Sequence, residues 1–290
     1  MSQREKIERV GVVGCGLMGS GIAEVCARAG LDVVVREVDE AAVSAGRSRI
    51  EVSLDRGVRA KKLDDDGREA ALGRIRYTTD IADLAERQLV IEAVVEDENE
   101  KLAVFSLLDQ HVTDPASLLA SNTSSIPIMK LAMATRRPEA VIGIHFFNPV
   151  PVLKLVEVVT SLLTSPETLL RSESFVSGVL GKKIIRSQDR AGFIVNALLI
   201  PYILSAIRML ESGFATAPDI DTGMVEGCAH PMGPLALADL IGLNTVVAVA
   251  ESLYSEFKEP LYASPPLLSR MVDAGLLGRK TGRGFYEYKR

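Results

Sequence analysis

Between residues 9 and 186 the apolar positions fall into short β-branched runs, divided by longer stretches with a helical period. RVGVV (9–13) stops at a glycine, and DVVVREV (32–38) is a second such run. Between them, from Ser20 to Ala29, Ile22, Val25, Cys26 and Ala29 recur on one helical face, and Gly30 closes the helix. A charged stretch from Glu40 to Gly67 carries Ile50, Leu54 and Val58 along one side and reads as another helix. LVIEAVV (89–95) is almost continuously apolar, the pattern of a parallel strand covered on both faces. SLLAS (117–121), AVIGIHF (140–146) and KLVEVV (154–159) are further strand candidates, with helices expected around 99–112 and 166–180. Strands alternating with helices predict βαβ units and a Rossmann-type, mostly parallel sheet in the α/β class.

After about residue 186 the pattern changes. FIVNALLIPYILSAIRMLESG (193–213) reads as one long helix, with Pro201 predicting a kink. The remaining stretches are helical runs punctuated by Gly and Pro, and no strand pattern returns. The expected organisation is an α/β domain over 1–186 and a smaller all-helical domain over 187–290.

Composition narrows the functional classes. The 290 residues are 47% hydrophobic and 24% charged, ordinary values for a globular protein with a real core. A net charge of −5 argues against a nucleic-acid partner, although a local basic patch could still grip a small phosphorylated ligand. Cys15, Cys26 and Cys228 fit no metal-ligand spacing, so no metal is expected, and the sparse set suggests reduced thiols in a cytoplasm. The charged opening MSQREKIERV does not read as a secretory signal, and no apolar run reaches the roughly 18 residues of a membrane span.

Gly14-Cys15-Gly16-Leu17-Met18-Gly19 is G-x-G-x-x-G, with a strand before it, a helix after it and a second strand carrying an acid. The first glycine makes the tight turn, the second lets a pyrophosphate approach the backbone, and the third lets helix pack on strand. Glu37, at the end of the second strand, is placed to accept hydrogen bonds from adenosine ribose hydroxyls. It would repel a 2′-phosphate, which favours NAD over NADP, whereas Arg36 beside it could welcome one. GIHFFNPVPVLKLVEVV (143–159) adds His145, Asn148, Lys154 and Glu157 near strand ends, where ligands of open α/β sheets bind. A carboxylate 12 residues after His145, past a Pro-containing turn, can fold back to one ring nitrogen and leave the other free to take a proton from an alcohol. His111 and His230 keep the default reading of structural histidines.

ASNTSS (120–125), HFFNPVPVLKLVEVV (145–159), GFIVN (192–196), HPMGPLALADLIGL (230–243) and GRKTGRGFYEY (278–288) together resemble the L-3-hydroxyacyl-CoA dehydrogenases. The likeness spans essentially the whole chain, in order, and runs closest to bacterial 3-hydroxybutyryl-CoA dehydrogenases. The resemblance implies NAD-dependent oxidation of a short-chain (3S)-3-hydroxyacyl-CoA, with His145 as general base and Glu157 orienting it. It implies that Ser124 hydrogen-bonds the substrate oxygen near the nicotinamide and that Asn196 binds substrate. Glu96, Lys101, Asn148 and Lys280 match cofactor-contacting positions, while Glu37 stands where the family usually has Asp. Asn122, Thr123 and Ser125 are left to satisfy the backbone of their loop.

Coenzyme A needs cations, and the candidate is SLDRGVRAKK (53–62), with Ser53, Arg56, Arg59, Lys61 and Lys62, or else an ordinary solvated helix face. The family also implies a homodimer through the helical domain. Residues 233–250, apolar almost all round, suit such an interface or a buried core helix equally. Two alternatives are a dehydrogenase of a free hydroxy or sugar acid on the same fold, and a non-catalytic dinucleotide-binding protein.

Overall fold

The structure is a computed structural model that describes residues 6–288. The charged start of the chain, residues 1–5, and residues 289–290 lie outside the described residues. The chain divides into two compact units after Arg190.

The first unit is built on an eight-stranded sheet in the order β3-β2-β1-β4-β5-β6-β7-β8. Its strands are β1 (Arg9–Val13), β2 (Asp32–Arg36), β3 (Ile75–Thr78), β4 (Leu89–Glu92), β5 (Leu118–Ser121), β6 (Val141–Phe146), β7 (Leu155–Thr160) and β8 (Lys183–Gln188). Every neighbouring pair is parallel except β6 with β7, which run antiparallel and register His145 opposite Glu157. The helices are α1 (Leu17–Arg28), α2 (Glu40–Arg59), α3 (Asp65–Leu72), α4 (Glu98–His111), α5 (Ile128–Met133) and α6 (Pro166–Glu173), the last continuing as a π-helical turn over Ser174–Val179. Ile22, Ala23 and Cys26 of α1 pack in one cluster with alternate strand residues such as Val10, Val12, Val33, Val35, Leu89 and Ile91. Full burial of a side chain the size of Ile22 contributes about 1.5–3 kcal/mol.

Two strands and one helix break escape the periodicity. β3 is a short edge strand, and β8 is an edge strand with Lys183 and Arg186 facing out, so neither shows an apolar run. The expected division at 186 falls inside β8, which explains why the chain divides after Arg190 instead. The charged stretch from Glu40 is two helices, because Asp64 caps a second one by accepting from the Gly67 N–H at 2.8 Å.

The second unit is all helical: α7 (Val195–Glu211), α8 (Ala217–Cys228), α9 (Pro234–Ile241), α10 (Leu243–Phe257) and α11 (Pro266–Asp273). α7 runs on through Pro201. The apolar run 233–250 is not one helix. Gly242, at φ +100°, turns α9 into α10 through 97°, a backbone conformation that favours glycine. Leu235, Ala238, Leu243, Val246, Ala250 and Leu253 from both helices are core residues, so burial within the unit accounts for that apolar run. Among the described residues no single helix is long and apolar enough to cross a membrane.

Candidate active site

The sheet order reverses between β1 and β4, and the loops at the carboxyl ends of these and the following parallel strands carry the candidate residues. After β1, Gly14 has φ +88°, and a Cβ there would lie 2.7 Å from the Ala93 carbonyl oxygen. A Cβ on Gly19 would lie 1.8 Å from the Gly14 oxygen, so α1 closes on the turn only because that side chain is absent. Gly16 is different: nothing lies within 4 Å of its Cβ position, and its backbone faces open space. Gly16 is the N-cap of α1, with no side-chain cap and no acid in the first turn. Unsatisfied N–H groups and the positive end of the helix dipole therefore face that space, which suits an anionic pyrophosphate. A cleft of about 330 Å³ lies here, lined by Gly14, Gly16, Glu37, Ala93, Val94 and Glu100 among others. Of the two residues between the second and third glycines, Leu17 is exposed, and Met18 packs partly against the sheet core.

Glu37 lines the cleft, but its carboxylate turns back toward the glycine turn, accepting from the Cys15 N–H and, at 3.1 Å, from the Val38 N–H. Burial, then the nearby Glu37 charge, pushes the Cys15 thiol up to about 12, against a smaller opposing effect of Arg49. The thiol inside the motif is thus a packing group and a poor nucleophile.

Ser124, His145 and Glu157 come together as a line. Ser124 follows β5, His145 is the penultimate residue of β6, and Glu157 sits near the start of β7. The Glu157 carboxylate lies 2.7 Å from His145 Nδ1, and Ser124 Oγ lies 3.0 Å from Nε2. His145 is 4% exposed and Glu157 0%, so the carboxylate is shielded from water. An ionised carboxylate only accepts, which places a proton on Nδ1 and leaves Nε2 of the neutral ring as an acceptor for the Ser124 hydroxyl. The Phe147 ring, 4.7 Å from the imidazole centroid to centroid, covers it further.

Beneath Ser124 lies a second polar cluster. Glu96 Oε1 accepts from Thr123 Oγ1 at 2.5 Å, from the Ser124 and Ser125 N–H groups at 2.9 and 3.2 Å, and from Ser125 Oγ at 3.0 Å. Burial acts to raise the Glu96 carboxyl, but the Lys101 charge and these hydrogen bonds outweigh it and hold the group below the usual carboxylate range. Lys101 is 1% exposed, with its ammonium 3.2 Å from Glu96 and 2.5 Å from Glu92. Its ammonium is thus buried between Glu96 and Glu92. Of the neighbouring polar residues, Asn122 accepts from the Phe146 N–H at 2.8 Å, and Thr123 Oγ1 accepts from the Ile126 N–H at 2.9 Å.

The other candidates stand on other elements. Asn148 is exposed after β6. Ser53 is half-buried on α2, and Lys61 stands exposed just beyond its end together with Lys62. In the second unit, Asn196 is half-buried in the first turn of α7, and Lys280 donates to Asn244 Oδ1. Sequence reading missed Glu92, Ser121 and Asp189. Asp189 accepts from the Ile128 and Met129 N–H groups, both at 2.7 Å, and so fastens the start of α5. Glu92 had a visible signal: a charged residue within the apolar run LVIEAVV must be paired if that run is buried.

Comparison with known proteins agrees with this geometry. Residues 9–190 match the family model for the 3-hydroxyacyl-CoA dehydrogenase NAD binding domain, and residues 192–288 match that for the C-terminal domain. A 3-hydroxybutyryl-CoA dehydrogenase of Mycobacterium tuberculosis is 60% identical over 284 residues, covering 98% of this chain and 99% of the relative. The crystal structure of M. tuberculosis FadB2 superposes with a TM-score of 0.97 at 60% identity, covering 98% of this chain and 99% of the other. That of the (S)-3-hydroxybutyryl-CoA dehydrogenase PaaH1 from Ralstonia eutropha does so with a TM-score of 0.92 at 46% identity, covering 98% and 100%. Both family models fall in order on a chain whose glycine turn leaves room for NAD and whose β5 to β7 strand ends align a serine, a histidine and a buried glutamate, and the chain belongs to the 3-hydroxyacyl-CoA dehydrogenase family.

Proposed function

We propose that this chain catalyses the reversible, NAD-dependent oxidation of a short-chain (3S)-3-hydroxyacyl-CoA, best matched by 3-hydroxybutyryl-CoA, to the 3-oxoacyl-CoA. The observation that carries the reading is the buried Glu157–His145–Ser124 line, with Nε2 as its proton acceptor. In the forward direction the 3-hydroxyl binds within hydrogen-bond reach of both Ser124 Oγ and Nε2. His145 takes its proton through Nε2 as hydride leaves C3, and the C3–O bond becomes a carbonyl. NAD supplies the hydride acceptor. Glu157 keeps the proton on Nδ1 and balances the imidazolium that forms, while Ser124 turns its hydroxyl to donate to the C3 oxygen. In reduction the same imidazolium returns the proton.

Glu37 is assigned to the adenosine ribose, and Gly14, Gly16, Leu17, Met18 and Gly19 to the pyrophosphate turn. Asn148 and Lys280 are assigned to the cofactor, Asn196 to the substrate, and Ser53 with Lys61 to the CoA phosphates. The exposed cations at the end of α2 support the last assignment. A homodimer through the helical unit is supported by exposed Leu198 and Met209 on α7 and by Phe214 beyond it.

The test is NADH formation with 3-hydroxybutyryl-CoA and with free 3-hydroxybutyrate, using the native enzyme and His145→Ala. Turnover should require the CoA thioester, and His145→Ala should lower it by about 100-fold or more while NADH still binds. Equal rates with the free acid would move the substrate class to free hydroxy acids. Unchanged turnover in His145→Ala would remove the mechanism.

A further inference from the structure

We infer that Glu92 is a positioning residue for Ser124, holding the 121–125 turn by two separate routes so that the serine hydroxyl meets the reacting oxygen. The inference rests on the role proposed above for Ser124. Glu92 ends β4 and is 0% exposed. Its Oε2 accepts from Ser121 Oγ at 2.6 Å, and that hydroxyl in turn accepts from the Thr123 N–H at 3.1 Å. Its Oε1 accepts from Lys101 Nζ at 2.5 Å and from the Val94 N–H at 2.7 Å. The Lys101 ammonium is shared with Glu96, whose single oxygen gathers Thr123, Ser124 and Ser125.

The charges explain why the arrangement needs Glu92. Lys101 is buried between two carboxylates, Glu92 at 2.5 Å and Glu96 at 3.2 Å. An ammonium in such a place must be paired, and with Glu92 neutral its full attraction would fall on Glu96. Glu96 would then be drawn toward Lys101 and away from the Ser124 and Ser125 amides. A small movement is enough, because the Ser124 hydroxyl has to stay within hydrogen-bond reach of both Nε2 and the substrate oxygen. Hydrogen-bonded groups acting as one network give strongly non-additive effects when removed in pairs, which makes the coupling measurable.

The experiment is a double-mutant cycle in the full chain with Glu92→Gln and Ser124→Ala, reading kcat for reduction of 3-oxobutyryl-CoA at saturating NADH. It is accompanied by hydrogen exchange at the 123–126 amides. Glutamine keeps the shape of the side chain and one acceptor oxygen while removing the charge. With Ser124 present, Glu92→Gln should lower kcat about tenfold, and in the Ser124→Ala background it should change kcat by less than about twofold. Exchange of the Ser124 and Ser125 amides should speed up by about tenfold or more. Equal losses of kcat in both backgrounds, or unchanged exchange, would overturn the inference, since a merely structural Glu92 acts whether or not the serine hydroxyl is there. If Ser124→Ala itself leaves kcat unaltered, the role of Ser124 fails, and the exchange data still decide whether Glu92 holds the turn. Ser121→Ala cuts one route and spares the ion pair, so it serves where Glu92→Gln does not fold. It should accelerate exchange at Thr123 before Ser125, and no acceleration at Thr123 counts against the inference.

Discussion

Replacing Glu157 by glutamine removes a buried negative charge and keeps a side chain of the same length against the His145 ring. In the native arrangement the carboxylate lies 2.7 Å from Nδ1, and the two side chains are 5% and 0% exposed. When Nε2 takes the substrate proton, the ring becomes a cation and Glu157 is its counter-charge. With charge centres about 4 Å apart and an effective dielectric constant of about 20, the attraction is about 4 kcal/mol. If about half of that charge has developed at the transition state, the loss is about 2 kcal/mol, or about thirtyfold in rate. The amide oxygen of glutamine still accepts from Nδ1–H and keeps the ring in place, so the loss falls short of removing the base outright. The assay is kcat for NADH formation from saturating 3-hydroxybutyryl-CoA, with NADH affinity measured by fluorescence titration. The expected result is kcat lower by about thirtyfold, with NADH affinity within about twofold of native. A kcat within about threefold of native would refute the counter-charge role, because the screened interaction would then be too weak to matter.

The glycine turn separates binding from folding. Gly16→Ala should leave urea stability within about 0.5 kcal/mol of native yet raise the KM for NAD about tenfold or more, since its Cβ meets no protein atom within 4 Å and enters the pyrophosphate space. Gly19→Ala should instead destabilise the fold by about 3 kcal/mol, because its Cβ would sit 1.8 Å from the Gly14 oxygen; similar denaturation midpoints for the two variants would sink this distinction. Glu37→Ala should raise the KM for NAD more than it lowers kcat, and a loss in kcat alone would count against a ribose contact. Glu96 has a depressed folded value, so its stabilising contribution is complete above the ordinary carboxylate value of 4.5 and is lost as pH falls through the lower folded value. Acid denaturation should therefore be less steep below pH 4.5 in Glu96→Gln than in the native chain, and identical acid profiles would contradict this.

Much of the architecture is legible in the linear pattern, for a physical reason. A strand covered on both faces is largely apolar, so β1, β2 and β4 to β7 announce themselves as short apolar runs. The glycine turn is equally readable, since backbone contacts at Gly14 and Gly19 leave no room for any side chain. Edge strands β3 and β8 carry no such constraint and stay hidden. The run 233–250 misleads, because apolar composition does not reveal that Gly242 turns one apparent helix into two.

Motif order also brought Ser124, His145 and Glu157 forward as candidates. The antiparallel turn from β6 to β7 is what sets Glu157 opposite His145, and the adjacency of β5 and β6 is what sets Ser124 against Nε2. Distances of this kind depend on strand register, which no local pattern encodes. The same holds for Lys101. Its ammonium, carried by α4, is buried between Glu92 at the end of β4 and Glu96, a pairing that no local pattern shows. Which charged groups meet inside the first unit is decided by tertiary structure, because pairing across a sheet joins residues that are far apart in the chain. Which residues the sheet can bury at all is decided by the sequence alone.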